Sequence, residues 1–329
     1  MAGSRPCASV SSVRPLLLLL FCGASAVSTL LFSFCFVGCG SDAKKEATPG
    51  PIVEDDAGVD AGPSDASVFV ANWNLEWFGS PEAGPTGEAL QQTNVAKVMR
   101  TIDADLWAVQ EISDDAALRK VGTETGHEVL IADDPNVAQG VVNYANVPQR
   151  VGILYRSARF EMRGARVVLG DHPSEFNGRC PLEVDLVTRP GGTALTVIVV
   201  HLAAGTDTIA WNKRSASAGF LKAHIDAKPP AARVMIAGDF NDGILSSSVR
   251  GRGTPFTVFV DDAANYAFAS KGLESPRYAR VIDHQLLTND LATSLVPGSA
   301  QVVDGEKILS DYVSTTSDHD VTRAVYLIP

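Results

Sequence analysis

From residue 68 onward, hydrophobic residues fall in short blocks separated by polar and Gly- or Pro-containing turns. Residues 68–75, 106–109, 151–155, 182–187, 195–200, 234–237, 281–287 and 324–328 are runs of strand length, rich in Val, Ile and Leu, and are predicted as β-strands. Residues 88–102 and 209–225 space their apolar positions at helical intervals, and 113–121 is a shorter helix of the same kind. Pro190-Gly191-Gly192, between two of the strands, predicts an antiparallel hairpin. Hairpins mixed with helical connections argue against a doubly wound parallel sheet. The pattern predicts an α/β fold of two packed mixed β-sheets with helices outside them.

A different pattern precedes this one. Residues 16–37 are an uncharged apolar run, preceded by Arg5 and Arg14 and followed by Gly38-Cys39-Gly40-Ser41. A basic start, an apolar stretch and small residues at its end make an export signal, here residues 1–39, rather than part of the fold. Phe36-Val37-Gly38-Cys39 resembles the lipobox of bacterial lipoproteins, which makes Cys39 the lipidated residue; several acyl chains on one N-terminus form a stable anchor. The alternative is an uncleaved helix, since the run is just long enough to cross about 30 Å of hydrocarbon. Either reading expects the rest of the chain outside the cytoplasm, at the cell envelope. Residues 40–67 then turn to Asp, Ala, Gly, Pro and Ser without an aromatic residue, which predicts a flexible acidic tether. Residues 68–329 are expected to form one domain.

Composition narrows the classes further. With 45% hydrophobic and 20% charged residues the chain is neither disordered nor a polytopic membrane protein, and Lys+Arg 27 against Asp+Glu 38 gives a net charge of −11. A nucleic-acid partner therefore requires a local basic groove, because no broad basic field exists. Cys7, Cys22 and Cys35 lie in the signal and Cys39 in the lipobox, leaving Cys180 alone in the domain. No disulfide framework follows, and Cys180 reads as a packed structural thiol. The sequence has no P-loop, dinucleotide-binding glycine pattern, nucleophile elbow or paired-Cys zinc site.

The chemistry-bearing residues are concentrated at strand ends. Asn74, Glu111, His201, Asp239, Asn241, Asp283 and His319 each stand at or beside one, where a rigid scaffold presents side chains to a shared cleft. They belong to the segments NWNLEWF (72–78), LWAVQEI (106–112), RVGILYR (150–156), VVHLAAG (199–205), AGDFND (237–242), VIDHQLL (281–287) and SDHDVTRAVYL (317–327). In this order the segments resemble the endonuclease/exonuclease/phosphatase superfamily, which includes DNase I, the apurinic endonucleases and the neutral sphingomyelinases. The resemblance covers nearly the whole domain. It implies the family's four-layer α/β sandwich and divalent-metal-dependent phosphoester hydrolysis.

The resemblance also implies roles. Glu111 matches the main metal carboxylate, with Asn74 beside it as an amide ligand or phosphate contact and Asp318 as a further support of the metal; Glu76 occupies a secondary acidic position. Mg²⁺ suits such a site because it takes few protein oxygens and keeps its waters, with Mn²⁺ or Ca²⁺ as alternatives. His319 and Asp283 match the His–Asp pair in which the carboxylate fixes the imidazole tautomer; His319 is then either the base or a cationic phosphate ligand. Asp239 is the competing base, and Asn241 a donor to the phosphoryl oxygen. His201 resembles the second His of DNase I and the sphingomyelinases, which protonates the leaving oxygen, whereas apurinic endonucleases have an Asn there. Gln149 stands where DNase I supports that His with a Glu. Arg179 resembles a phosphate-contacting Arg, its fork suiting a phosphodiester. Arg150 is a second candidate of that kind, and Lys213, Arg214, Arg250 and Arg252 are candidates for backbone contacts. Trp73, Trp77, Trp107 and Trp211 are expected mainly in the core.

The expected protein is thus a lipid-anchored extracytoplasmic phosphodiesterase, first of all a nuclease acting on DNA or RNA, with no protein partner. The alternatives are a sphingomyelinase-type or small-phosphoester enzyme of the same superfamily and a surface binding protein on this fold. The polar loops 133–148 and 242–254 offer little to insert into a bilayer, which disfavours the lipid substrate.

Overall fold

In the computed structural model the described residues are 66–328, Thr86 excepted. The signal, Cys39 and nearly all of the expected tether lie outside them. The first strand begins at Ser67, one residue earlier than predicted, because Ser67 pairs with Leu327 and the Ala66 carbonyl accepts the Ile328 N–H.

The chain runs β1 (Ser67–Phe78), α1 (Glu88–Ile102), β2 (Leu106–Ile112), α2 (Asp115–Thr125), β3 (Glu128–Ile131), α3 (Gly140–Tyr144), β4 (Arg150–Tyr155) and β5 (Phe160–Val167). It continues through β6 (Leu182–Thr188), β7 (Ala194–His201), α4 (Thr208–Asp226), β8 (Val234–Asp239), α5 (Thr257–Val260) and β9 (Tyr266–Phe268). The last elements are β10 (Asp283–Thr288), α6 (Asn289–Ala292), β11 (Gln301–Val303), α7 (Tyr312–Thr315) and β12 (Val321–Leu327). They build two six-stranded mixed sheets, ordered β11-β12-β1-β2-β4-β3 and β5-β6-β7-β8-β10-β9. The sheets pack face to face with helices outside, the expected α/β sandwich.

The core explains which predictions held. Val70, Leu106, Ala108 and Ile153 of the first sheet join Val184, Val197, Val199 and Ile236 of the second in one buried cluster, so the central strands carry apolar residues inward. On the outer face of the first sheet, Trp73, Trp107 and Val109 pack under Val95, Met99 and Ile102 of α1, so these strands are apolar on both faces and read as continuous runs. The expected hairpin is β6–β7. Helix starts are set by caps: Asp114 accepts the Ala117 N–H at 3.0 Å and Asp207 accepts the Ala210 N–H at 2.8 Å, which begins α2 two residues after the predicted 113 and α4 at 208. Strand β10 starts at Asp283 rather than 281. Four strands escaped prediction: β9 and β11 have three residues each, β3 is a four-residue edge, and β5 is a half-exposed edge broken by a register shift between Met162 and Gly164.

Away from the strand ends, Glu183 of β6 is fully buried beside Lys228, Arg166 and His224. It accepts from His224 at 2.5 Å and Lys228 at 2.8 Å, at the end of α4, and pairs with Arg166 of β5. Burial alone would push this carboxyl up; the hydrogen bonds from His224 and Lys228 outweigh it and hold the pKa at about 2. Among the described residues no helix is long and apolar enough to cross a membrane.

Candidate active site

Register brings the polar residues into one place. In the second sheet, β7 and β8 run parallel with His201 opposite Asp239, while β8 and β10 run antiparallel with Asp239 opposite Asp283. Directly paired residues project to the same face, so His201, Asp239 and Asp283 form a row across three strands. Gly238 permits the close approach of β7 and β8: a Cβ there would lie 2.0 Å from the Val200 carbonyl oxygen. In the first sheet, β1 and β2 are parallel and end beside each other, delivering Asn74, Glu76 and Glu111. Strand β12 runs antiparallel to β1, so the segment before it returns Asp318 and His319 to the same end.

The backbone is bent where these residues sit. Four of the nine non-glycine residues with left-handed φ among the described residues are Glu76 (49°), Trp77 (50°), Glu111 (63°) and Asn241 (56°), and β1–β2 loses register between Asn74 and Phe78. Such conformations cost free energy and persist where the surroundings over-determine them, a feature concentrated at functional sites.

Hydrogen bonds tie the two sheets together. Asn74 Nδ2 donates to Glu111 Oε1 and to Asp239 Oδ2, both at 3.0 Å, while its Oδ1 accepts the Glu76 N–H at 3.0 Å. Trp77 N–H donates to Glu111 Oε2 at 3.0 Å. Asp239 also accepts the Asn241 N–H at 2.8 Å and Asn241 Nδ2 at 3.0 Å. His319 Nδ1 lies 2.8 Å from Asp283 Oδ2, and its Nε2 faces Asp239 Oδ2 at 3.9 Å. His201 Nε2 is 3.6 Å from Asp239 Oδ2 and 3.7 Å from Glu111 Oε1. Behind this set, Trp73 Nε1 and Tyr312 OH both donate to the His319 carbonyl, and Ser317 Oγ donates to the Asn74 carbonyl while accepting the His319 N–H.

The two imidazoles are in opposite states. Burial opposes a charge on His319, yet Asp283 and Asp239 outweigh it and hold its pKa well above the ordinary value. His201 is driven well below the ordinary value by complete burial and by the positive charges of Arg179 and His319. The acids are perturbed too. Burial and neighbouring Asp318 raise Glu76 to about 7, burial raises Glu111 with Asp239 adding to it, and burial raises Asp239 to about 6 although His319 pulls the other way.

This acid cluster tests the fit of a metal. Glu76 Oε2 accepts the Asp318 N–H at 2.8 Å, so Glu76 joins Glu111 and Asp318 in a group of hard oxygen donors, in which burial and neighbouring acids disfavour the anionic forms of Glu76 and Glu111. A divalent cation relieves that repulsion, and the donor set fits one. Among the described residues, the one group of three His, Cys, Asp or Glu with a ligand atom of each within 4.8 Å of the others is Asp239, Asp283 and His319. A protonated imidazole has no lone pair to give, and His319 Nδ1 is taken by Asp283, so we regard this triple as a hydrogen-bonded set rather than a metal cage.

The geometry adds to several expected roles. Asn74 spends both amide hydrogens on orienting Glu111 and Asp239, while its Oδ1, which accepts the Glu76 N–H, keeps a second lone pair for a ligand. Arg179 is 7% exposed and donates to the His201 carbonyl at 3.3 Å, the Leu202 carbonyl at 3.1 Å and Gln149 Oε1 at 2.6 Å. Three of its five N–H donors thus go to acceptors inside the protein, two of them the carbonyls of His201 and Leu202, which ties it to the strand end that carries His201. Gln149 thus serves Arg179, not His201, whose Nδ1 is buried without a partner. Arg214 is fully buried against Asp242 at 2.9 Å, Arg150 is paired with Asp115 and Asp133, and Lys213 donates to Asn177 Oδ1 at 3.0 Å. Cys180 is 1% exposed, and burial lifts its thiol to about 11. Trp73 and Trp107 are buried, as expected, whereas Trp77 and Trp211 are only partly buried.

Tyr278 was missed. Its hydroxyl donates to the Asp318 carbonyl at 2.6 Å and its ring lies 6.3 Å from His319. It also lines a cavity of about 380 Å³ with Leu245, Ser246, Leu273 and Arg280, which reaches the turn after Asn241. An aromatic five residues before Asp283 was the only signal in the sequence.

Comparison with known proteins agrees with the fold. Residues 71–319 match the Endonuclease/Exonuclease/phosphatase family, and the chain belongs to that family. No curated protein matches the sequence. Similar solved structures include the endonuclease/exonuclease/phosphatase from Bacteroides vulgatus, at 13% identity and a TM-score of 0.58 over 80% of this chain and 99% of that one. D. rerio TDP2 complexed with single strand DNA product has 15% identity and a TM-score of 0.57 over 79% and 98%. The human Nocturnin catalytic domain with bound sulfate anion has 16% identity and a TM-score of 0.55 over 79% and 94%.

Proposed function

We propose that this chain is a divalent-metal-dependent phosphodiesterase acting on nucleic acid, held at the outside of a bacterial membrane by a lipid on Cys39. The observation that carries the reaction is the row of charged His319, buried Asp239 and neutral His201, set against the acidic group Glu76, Glu111 and Asp318. Glu111, Glu76 and Asp318 would hold a divalent cation, which we take to be Mg²⁺, and such a cation would supply Lewis-acid stabilisation of the phosphoryl oxygens. His319 already carries its proton, so it binds the phosphate as a cation and leaves the base role to Asp239. With a pKa of about 6, Asp239 is a stronger proton acceptor than an ordinary aspartate and still largely ionised at neutral pH, the balance a general base requires. Asn241 holds Asp239 with its amide and, by giving up its bond to the Leu202 carbonyl at 3.1 Å, is free to donate to the phosphoryl oxygen. Neutral His201 donates a hydrogen bond toward the leaving oxygen; its low proton affinity does not suit it to be a resident acid.

Support for a nucleic-acid substrate comes from the family match and from the single strand DNA product carried by D. rerio TDP2 of the same fold. Support for the anchor is the uncharged run 16–37 followed by Gly38-Cys39. The test uses the full chain in detergent and its Glu111→Gln variant on supercoiled plasmid, structured RNA, sphingomyelin and bis-p-nitrophenyl phosphate, with Mg²⁺ or EDTA. Mg²⁺-dependent nicking or RNA cleavage, reduced roughly 10³-fold or more in the variant, is expected. Cleavage of sphingomyelin or the small diester alone would reject the nucleic-acid substrate, and silence on all four would reject the enzyme. Incorporation of labelled fatty acid, lost in Cys39→Ser, checks the anchor.

A further inference from the structure

We propose that the loop from Gly243 to Thr254, carrying Arg250 and Arg252, is a contact surface for the phosphate backbone of a single-stranded nucleic acid leading to the hydrolytic centre. This rests on the reading of the chain as a phosphodiesterase.

The loop starts two residues after Asn241 and is built as a rigid platform. Asp242 is fully buried and its carboxylate accepts from Gly243 N–H at 2.9 Å, Ser248 N–H at 2.5 Å, Ser247 Oγ at 2.7 Å and Arg214 Nη2 at 2.9 Å. Arg214 also donates to the carbonyls of Ala203 and Gly205, which ties the loop to the segment that follows His201. The ends of the loop are closed by Thr254 Oγ1 donating to the Gly243 carbonyl at 2.8 Å, and Trp211 Nε1 holds the Gly253 carbonyl at 2.9 Å. The Arg252 guanidinium lies 4.9 Å over the Trp211 ring. Stacking of this kind restricts the side chain and leaves the in-plane N–H groups for an anion.

Charge singles the loop out. The chain has a net charge of −11, and many of its arginines are neutralised: Arg119, Arg150, Arg156, Arg166 and Arg277 each hold an Asp or Glu. Among the described residues, no carboxylate pairs with Arg250 or Arg252, which are exposed, or with Arg280, whose buried Nε lacks a partner. Arg280 packs against the start of the loop, since a Cβ on Gly243 would meet its Cδ at 2.9 Å. Three uncompensated guanidinium groups therefore border one loop of an acidic protein, and that loop begins beside Asn241. The repeated anion that can meet them while its own chain continues to the site is a polynucleotide. An anionic membrane surface is less favoured, because Trp211 is engaged with Gly253 and Arg252 and is not free to enter a bilayer.

The test measures binding of a labelled single-stranded 20-mer to the full chain in detergent with EDTA over a range of salt, alongside Mg²⁺-dependent hydrolysis of bis-p-nitrophenyl phosphate. Arg250→Ala/Arg252→Ala is expected to raise Kd at least tenfold near 0.1 M salt and to flatten the slope of log K against log salt by about 1.4, at roughly 0.7 per lost contact. Arg250→Lys/Arg252→Lys should keep most of that slope, and small-diester hydrolysis should be unchanged in both. Unaltered Kd and slope would overturn the inference, as would an equal loss on the small diester. Release from anionic vesicles with 20-mer binding intact would overturn it in favour of a membrane. A wild-type chain that binds the 20-mer with the expected slope but cleaves no nucleic acid would reject the function proposed above and leave the binding surface standing.

Discussion

Asp283 and His319 meet at 2.8 Å through Nδ1, and that single contact fixes which nitrogen of the imidazole faces the substrate space. Replacing Asp283 with Asn keeps the shape but offers an amide that neither fixes the proton nor supports the charge. Asp283→Asn is therefore expected to lower kcat by about 10²–10⁴-fold with little change in melting temperature; a kcat within a fewfold of wild type would remove the pair from the chemistry. At this scale the identities of Glu111, His201, Asp239, Asn241, Asp283 and His319 were legible, because carboxylates, amides and imidazoles at strand ends stand out against apolar runs. The direction of each side chain was not. Arg179 and Asn74 read as substrate or metal contacts, and only the three-dimensional arrangement shows Arg179 also placing three donors on the carbonyls of His201 and Leu202 and on Gln149, and Asn74 its amide hydrogens on Glu111 and Asp239. Protonation was equally hidden, since His201 and His319 diverge through neighbours brought from distant strands.

Helix α4 shows how an element can be legible while its attachments are not. Its apolar spacing announced the helix, but its two anchors are ionic: Arg214 on Asp242 near the start, and Glu183 with His224 and Lys228 at the end. Breaking the first leaves a buried charge without its partner, so Arg214→Ala is expected to cost about 3–5 kcal/mol in unfolding free energy, measured by urea denaturation; a loss below 1 kcal/mol would mean that the site tolerates solvent. The second anchor acts through pH. Glu183 is depressed in the folded protein to about 2, so the unfolded chain takes up its proton first as pH falls. The contribution is complete above the ordinary carboxylate value near 4.5 and disappears as pH drops toward 2. Urea midpoints of wild type and Glu183→Gln should consequently converge over that interval and stay apart at pH 7. Parallel curves would exclude Glu183 as the group responsible. The missed strands obey the same logic of context. Edges such as β5 and β3 bury little on their outer side, so no alternation marks them, and the neighbouring strand supplies the order that their own sequence lacks.

At the scale of the molecule, the sandwich collects acids from both sheets at one end. Glu76 and Glu111 come from β1 and β2, Asp239 and Asp283 from β8 and β10, and Asp318 from the segment before β12. Folding therefore buries these acids and concentrates negative charge that the unfolded chain keeps apart, and the values of Glu76 and Asp239 are raised first by burial and then by the neighbouring carboxylates. A cation that binds only the assembled end must stabilise the whole fold, by about 2.7 kcal/mol at a concentration 100 times its Kd. For a domain of this size each kcal/mol moves Tm by roughly 2–4 °C, so saturating Mg²⁺ is expected to raise Tm by about 5–10 °C over EDTA. Glu111→Gln removes a donor and also part of the repulsion, so the variant should melt at or above wild type in EDTA and gain little from Mg²⁺. That crossing of the two curves separates a metal site from general ionic screening, which would shift both proteins alike. An equal Mg²⁺ gain in the variant, or no gain in wild type at millimolar Mg²⁺, would show that the acids at this end are balanced by the protein itself.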